Sequence, residues 1–110
     1  MRWYGRLCRK AEIAFVRRRG RRTACASLSA YAVAARDRRT RVAVTVGKGV
    51  GGAVVRNRVR RRIVGALEAL GGLQRPSVIL FVAQPPAAGL PYGQIAADVA
   101  EALARLAPAG

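Results

Sequence analysis

Arg56, Asn57, Arg58, Arg60, Arg61 and Arg62 put six cationic or amide groups into seven positions, and no carboxylate occurs between Asp37 and Glu68. Solvated helix faces ordinarily alternate cations with acids four residues away, so pairing within the helix is not what this run serves. Crowded like charges repel, and a polyanion relieves that repulsion on binding. The guanidinium fork grips a phosphate with two hydrogen bonds and stacks on bases. Asn57 cannot neutralise phosphate, but its amide donates to a phosphate or 2′-hydroxyl and accepts from a base or backbone group. The chemistry in reach is recognition of structured RNA.

Bond breaking is not. The chain has no histidine, its five carboxylates are scattered, and hydroxyls such as Ser27, Thr40 and Ser77 have no base partner at a telling spacing. Neither general acid–base nor nucleophilic catalysis has a constellation to work with. Cys8 and Cys25 stand apart without a histidine, which argues against a zinc site and suits a reducing, cytoplasmic setting. No apolar run is long enough to span a membrane, and the N-terminus lacks the apolar segment of a secretion signal.

The elements that must position the arginines follow from periodicity. Val55, Val59, Ile63, Leu67 and Leu70 recur every three or four residues and predict a central helix over 53–70, stopped by Gly71-Gly72. Its arginines fall mostly on the opposite arc. Residues 9–19 predict a first helix with Ile13 and Val16 inward, ended by Gly20, behind a loose basic arm over residues 1–8. Residues 24–35 read as one long extended segment contributing Leu28 and Val33 to the core, and residues 41–46 alternate as a half-buried strand. VILFVA, residues 78–83, is a continuous apolar run expected to be covered on both faces. A last helix over 92–106 presents Ile95, Val99, Leu103 and Leu106, and residues 107–110 form a short tail. The pattern predicts one α+β domain over 9–106, a small two-layer sandwich of order α-β-β(-β)-α-β-α.

Charge follows the same division. The net charge is +16, and residues 1–62 hold nineteen of the twenty-one Lys and Arg against only Glu12 and Asp37. The C-terminal part is ordinary scaffold; the basic part is the binding part.

The glycines before the central helix permit other readings. Gly47, Gly49 and Gly52 match G-x-G-x-x-G, but no acid follows the next strand to hold a ribose, and the chain is short for a doubly wound domain. A nucleotide cofactor is therefore not expected. Gly49-Val50-Gly51-Gly52 also fits the GXXG clamp of KH domains, although that loop joins two helices and here follows a strand.

With these residues in view, the chain resembles the protein subunit of bacterial ribonuclease P. The family's signature is approximately S-K-K-x-G-x-A-V-x-R-N-x-x-K-R-x-x-R-E, placed after a strand and within the central helix. Lys48, Gly51, Ala53, Val54, Arg56, Asn57, Arg60 (for the family's lysine) and Arg61 fall on it in register, whereas Gly47, Gly49, Val64 and Gly65 depart from it. The resemblance covers about residues 9–106. It implies a fold like the second domain of ribosomal protein S5, with a left-handed crossover through the central helix. It also implies an RNA subunit that, with Mg²⁺, removes the 5′ leader of precursor tRNA, while this chain supplies no cofactor site of its own. Lys48, Arg56, Asn57, Arg60 and Arg61 would contact the catalytic RNA, with Arg58 and Arg62 as further phosphate partners. Phe15, Arg19 and Tyr31 are the candidates for a cleft that receives the leader. The alternative is a non-catalytic structural RNA-binding protein, such as a ribosomal or KH-like module. A membrane-surface role would need large apolar groups beside the arginines, and the helix shows mostly Val and Ile facing a core.

Overall fold

The computed structural model describes residues 3–73 and 75–106. The chain runs β1 (Gly5–Arg6), α1 (Lys10–Arg19), β2 (Arg21–Ala24), β3 (Leu28–Ala34), β4 (Arg41–Thr45), α2 (Ala53–Leu70), β5 (Ser77–Ala83) and α3 (Tyr92–Leu106). Five strands form one sheet in the order β1-β4-β5-β3-β2. The pairs β2–β3 and β3–β5 are antiparallel; β1–β4 and β4–β5 are parallel. A parallel pair needs a long crossover, and α2 is that crossover between β4 and β5.

The continuous apolar run of β5 is explained by its place at the centre. Ile79, Phe81 and Ala83 enter one core with the buried stripes of α2 (Val59, Ile63, Leu67) and α3 (Ile95, Val99, Leu103). Val78 and Leu80 point the other way, into a second cluster with Val16 of α1, Leu7 and Ala43. The main sandwich is thus the sheet on α2 and α3, and α1 crosses the opposite face. Phe81, Leu28, Ile63 and Leu67 are all fully enclosed, and each such side chain contributes about 1.5–3 kcal/mol of burial.

Both C-terminal helices and the strand cores fall where periodicity places them, except that Leu70, expected in the core stripe of α2, is 42% exposed in its last turn. Three segments differ. The single extended segment expected over 24–35 is a hairpin, β2 paired with β3 from Arg21↔Ala32 to Ala24↔Ser29. No Gly or Pro marks its turn. A distant carboxylate holds it instead: buried Asp98 of α3 accepts from the Ser27 N–H (3.0 Å) and Ser27 Oγ (2.6 Å). Gly20 ends α1 in extended conformation (φ −71°, ψ 156°), not as a left-handed cap. Glycine is needed there because a Cβ would run into the Val16 carbonyl and come within 3.1 Å of the Ala32 backbone.

The third difference is the N-terminal segment, which is built into the fold where a loose arm is expected. Gly5 and Arg6 pair with Arg41 and Val42, Leu7 is buried, and Trp3 Nε1 donates to the Leu67 carbonyl at 2.7 Å. A strand of two residues carries too little periodicity to be read in advance. Residues 1 and 2 of the expected arm, and the tail over 107–110, lie outside the described residues.

Candidate nucleic-acid interface

The core stripe of α2 leaves the rest of its surface in rows four residues apart. Val54, Asn57 and Arg61 form the outermost arc and are exposed; Val54 is 78% exposed. Arg56 and Arg60 flank the core stripe on one side, toward the β4 edge, with Arg60 exposed and Arg56 half-buried. On the other side lie Arg58 and Arg62, both half-buried. Lys48 stands exposed in a single 3-10 turn, Lys48–Val50, just ahead of the helix.

The two flanks do different things. Arg58 Nη2 donates to the Ala88 carbonyl (3.1 Å) and Arg62 Nη1 to the Leu90 carbonyl (3.0 Å). These bonds tether the proline-rich loop that joins β5 to α3. One N–H of each arginine is therefore committed within the fold, a role that sequence reading missed because its acceptors are backbone atoms about thirty residues away. Among the described residues, Arg60, Arg61 and Asn57 carry no such tether.

Electrostatics at α2 is unbalanced. Among the described residues, ion pairs join Arg9 and Arg41 to Glu12, Arg41 to Asp37 and Arg105 to Glu101; none links an arginine of α2 to a carboxylate. The Nε atoms of Arg56 and Arg58 are buried without a hydrogen-bond partner. The helix opens at Gly52 with no side-chain cap and no acid in its first turn, so its N-terminal N–H groups add to the positive field. Gly51 is the hinge into it. Its φ of 156° disfavours other residues, and a Cβ there would lie 2.9 Å from Val55 Cγ1.

The predicted leader residues share the sheet face that carries α1. Phe15, 43% exposed, lines a groove of about 280 Å³ with Val16, Val33 and Val78. Tyr31 projects on that face two residues before Val33, packed into the second cluster, with the Arg22 guanidinium 6.0 Å from its ring centre. Arg19 is exposed at the last turn of α1. The fold puts all three on one side of the sheet, although only Phe15 lines that groove.

One group of potential metal ligands lies elsewhere: Cys25 Sγ and the Asp98 and Glu101 carboxylates, all within 4.8 Å of one another. Asp98 accepts from Ser27 and from Gln94 Nε2 (2.9 Å), and Glu101 is paired with Arg105. Burial, then the negative charges of Asp98 and Glu101, push the Cys25 thiol pKa above its ordinary value. These groups answer one another, and the cluster serves to lock α3 to the β2–β3 turn.

The family model described as Ribonuclease P matches residues 1–107. The ribonuclease P protein component of Acidothermus cellulolyticus is 36% identical over 104 residues, spanning 92% of this chain and 87% of that protein. That of Thermobifida fusca is 43% identical over 68 residues, 61% of this chain and 46% of its own length. Among solved structures, the RNase P protein of Staphylococcus aureus superposes with a TM-score of 0.84 at 22% identity, covering 94% of this chain and 97% of that one. The RNase P protein of Thermotoga maritima gives 0.81 at 14% identity, covering 96% and 98%. At such identities the structural likeness speaks for the fold.

Proposed function

The chain belongs to the ribonuclease P protein family, and from that membership we propose how it works as the protein subunit of that ribonucleoprotein. The exposed side of α2 docks on the catalytic RNA through Asn57, Arg60 and Arg61, with Lys48 and Arg56 beside them. The face carrying α1 receives the 5′ leader of precursor tRNA, with Phe15 and Tyr31 as stacking surfaces and Arg19 as a phosphate partner. Action is in the cytoplasm, in keeping with two free thiols, Cys8 and Cys25.

One observation carries this reading: five arginines stand within seven residues of α2 with no carboxylate partner among the described residues, whereas Arg9, Arg41 and Arg105 elsewhere have one. Leaving them unpaired is costly unless phosphates complete them. Val54 gives the same surface an apolar contact for ribose. No carboxylate is among the α2 side chains assigned to RNA contact, and in this reading Mg²⁺ is held by the RNA, where it supplies the hydrolytic chemistry. The protein's part is to screen charge between two RNAs and to hold the substrate in place.

Reconstitution tests it. The chain is mixed with a bacterial ribonuclease P RNA transcript at low Mg²⁺, and 5′-leader removal from precursor tRNA is followed. Stimulation of cleavage is expected. Tight RNA binding without stimulation would replace this reading with that of a structural RNA-binding protein.

A further inference from the structure

A pocket of about 410 Å³ opens where the outer edge of the sheet outruns β1. β1 pairs only with Arg41 and Val42, whereas β4 continues to Thr45. Backbone direction along the strand can be read from its bonds. The Gly5 N–H donates to the Thr40 carbonyl (2.8 Å) and the Leu7 N–H to the Val42 carbonyl (3.0 Å), so the even-numbered residues turn their backbone groups to this edge. With a period of two, Val44 is next in the series. It lines the pocket, past the end of β1, with a donor and an acceptor side by side.

The surroundings of that pair are specific. Leu7, Ile13 and Val64 give apolar walls contributed by both faces of the sheet. Arg6 and Arg60, both exposed, add two cations, and no lining residue is acidic. An apolar slot with a backbone donor–acceptor pair suits the flat face and polar edge of a nucleobase. The guanidinium groups suit the phosphate attached to it. The volume falls in the range of roughly 300–1,000 Å³ typical of small-molecule sites.

We propose that this pocket takes one unstacked nucleotide of the catalytic RNA, its base against Leu7, Ile13 and Val64 and its phosphate between Arg6 and Arg60. The proposal rests on the reading that α2 meets that RNA: Arg60 belongs both to the exposed surface of the helix and to the pocket, so a strand crossing the one reaches the other. Duplex RNA hides its bases in a deep, narrow groove, and a protein reads sequence where a base is splayed out. The pocket thus adds recognition of a splayed-out base to the contacts that the α2 surface makes.

Two measurements test this. Thr45 is exposed and lines the pocket, and the substitution Thr45→Trp fills the space while leaving every cation in place. With a bacterial ribonuclease P RNA transcript as probe, it should weaken binding about tenfold, the scale of one lost base contact, at an unchanged salt dependence. Cys8, a free exposed thiol lining the same pocket, reports on the unmodified protein. Its alkylation by iodoacetamide should slow severalfold when the transcript binds and stay unchanged with a fully paired RNA duplex of similar length. Equal alkylation of Cys8 in the free and bound protein overturns the proposal, as does equal protection by the duplex. Wild-type affinity in Thr45→Trp does the same. Should that variant fail to fold, the alkylation result decides alone. If the transcript does not bind the wild-type protein at all, the reading of α2 falls together with the pocket; if it binds and stimulates cleavage while Cys8 stays reactive, only the pocket falls.

Discussion

Arginines four residues apart on one helix divide into two functional kinds, and the double substitution Arg58→Ala/Arg62→Ala separates them. Each loses a charge-assisted bond to a loop carbonyl, at 3.1 Å to Ala88 and 3.0 Å to Leu90. Such bonds contribute about 1.5–3 kcal/mol when well shielded. Both side chains are half-exposed, so the lower end applies, and relief of like-charge repulsion offsets part of it. A net loss of about 2 kcal/mol is expected for the pair. For a domain of this size that lowers Tm by about 8–12 °C, measured by far-UV circular dichroism. RNA affinity, measured across a series of KCl concentrations, should keep its slope of log K against log[salt]. The companion variant Arg60→Ala/Arg61→Ala should do the reverse. Tm should move by no more than about 2 °C, as for ordinary surface changes. The slope should flatten by about 1.4–1.8, since each phosphate contact accounts for about 0.7 on single strands and 0.9 on duplex. If Arg58→Ala/Arg62→Ala melts like the wild type and flattens the slope by that amount, the division of labour drawn from the hydrogen bonds is refuted.

Asp98→Ala should destabilise the fold by about 2–5 kcal/mol, because it strands the buried Ser27 N–H and hydroxyl; urea unfolding with a near-wild-type midpoint would show the turn to be held by something else. Gly51→Ala forces a side chain onto a positive-φ, extended backbone that only glycine adopts readily, and into Val55, and should cost about 1–3 kcal/mol of local strain. That strain should displace Lys48 and lower RNA affinity more than stability, which a binding isotherm beside a thermal melt will reveal. The Cys25 pKa is raised, so its thiolate forms only above the usual range and its alkylation near pH 9 should lag that of a free cysteine peptide. Glu101→Gln removes one of the charges responsible and should bring the Cys25 profile down in pH; an unmoved profile would leave burial and the Asp98 charge as the causes.

Fold and interface were legible in the chain to different depths. The central helix shows itself from Ala53 to Leu70 because a long apolar stripe and its flanking arginines are local facts, repeated over five turns, and Gly71 closes it with a φ of 78°. The β5 run and the last helix are readable for the same reason. The hairpin at 21–34 is not: its turn is set by Asp98, more than seventy residues away, and no local residue marks it.

Sequence by itself determined that one surface of this protein is cationic and carboxylate-poor, since those are properties of composition and spacing. It determined the family as well, through a motif of fixed register. Tertiary structure alone decided which arginines are free. Arg58 and Arg61 look alike in the chain, yet one binds a loop carbonyl and the other faces solvent. Structure alone also decided that Gly5 and Arg6 belong to the sheet, with Trp3 and Leu7 packed beside them, and that β1 stops short of Val44, which lines a pocket with Arg60. The physical reason is common to both. A side chain's availability depends on acceptors brought near by folding, and distance along the chain carries no information about them.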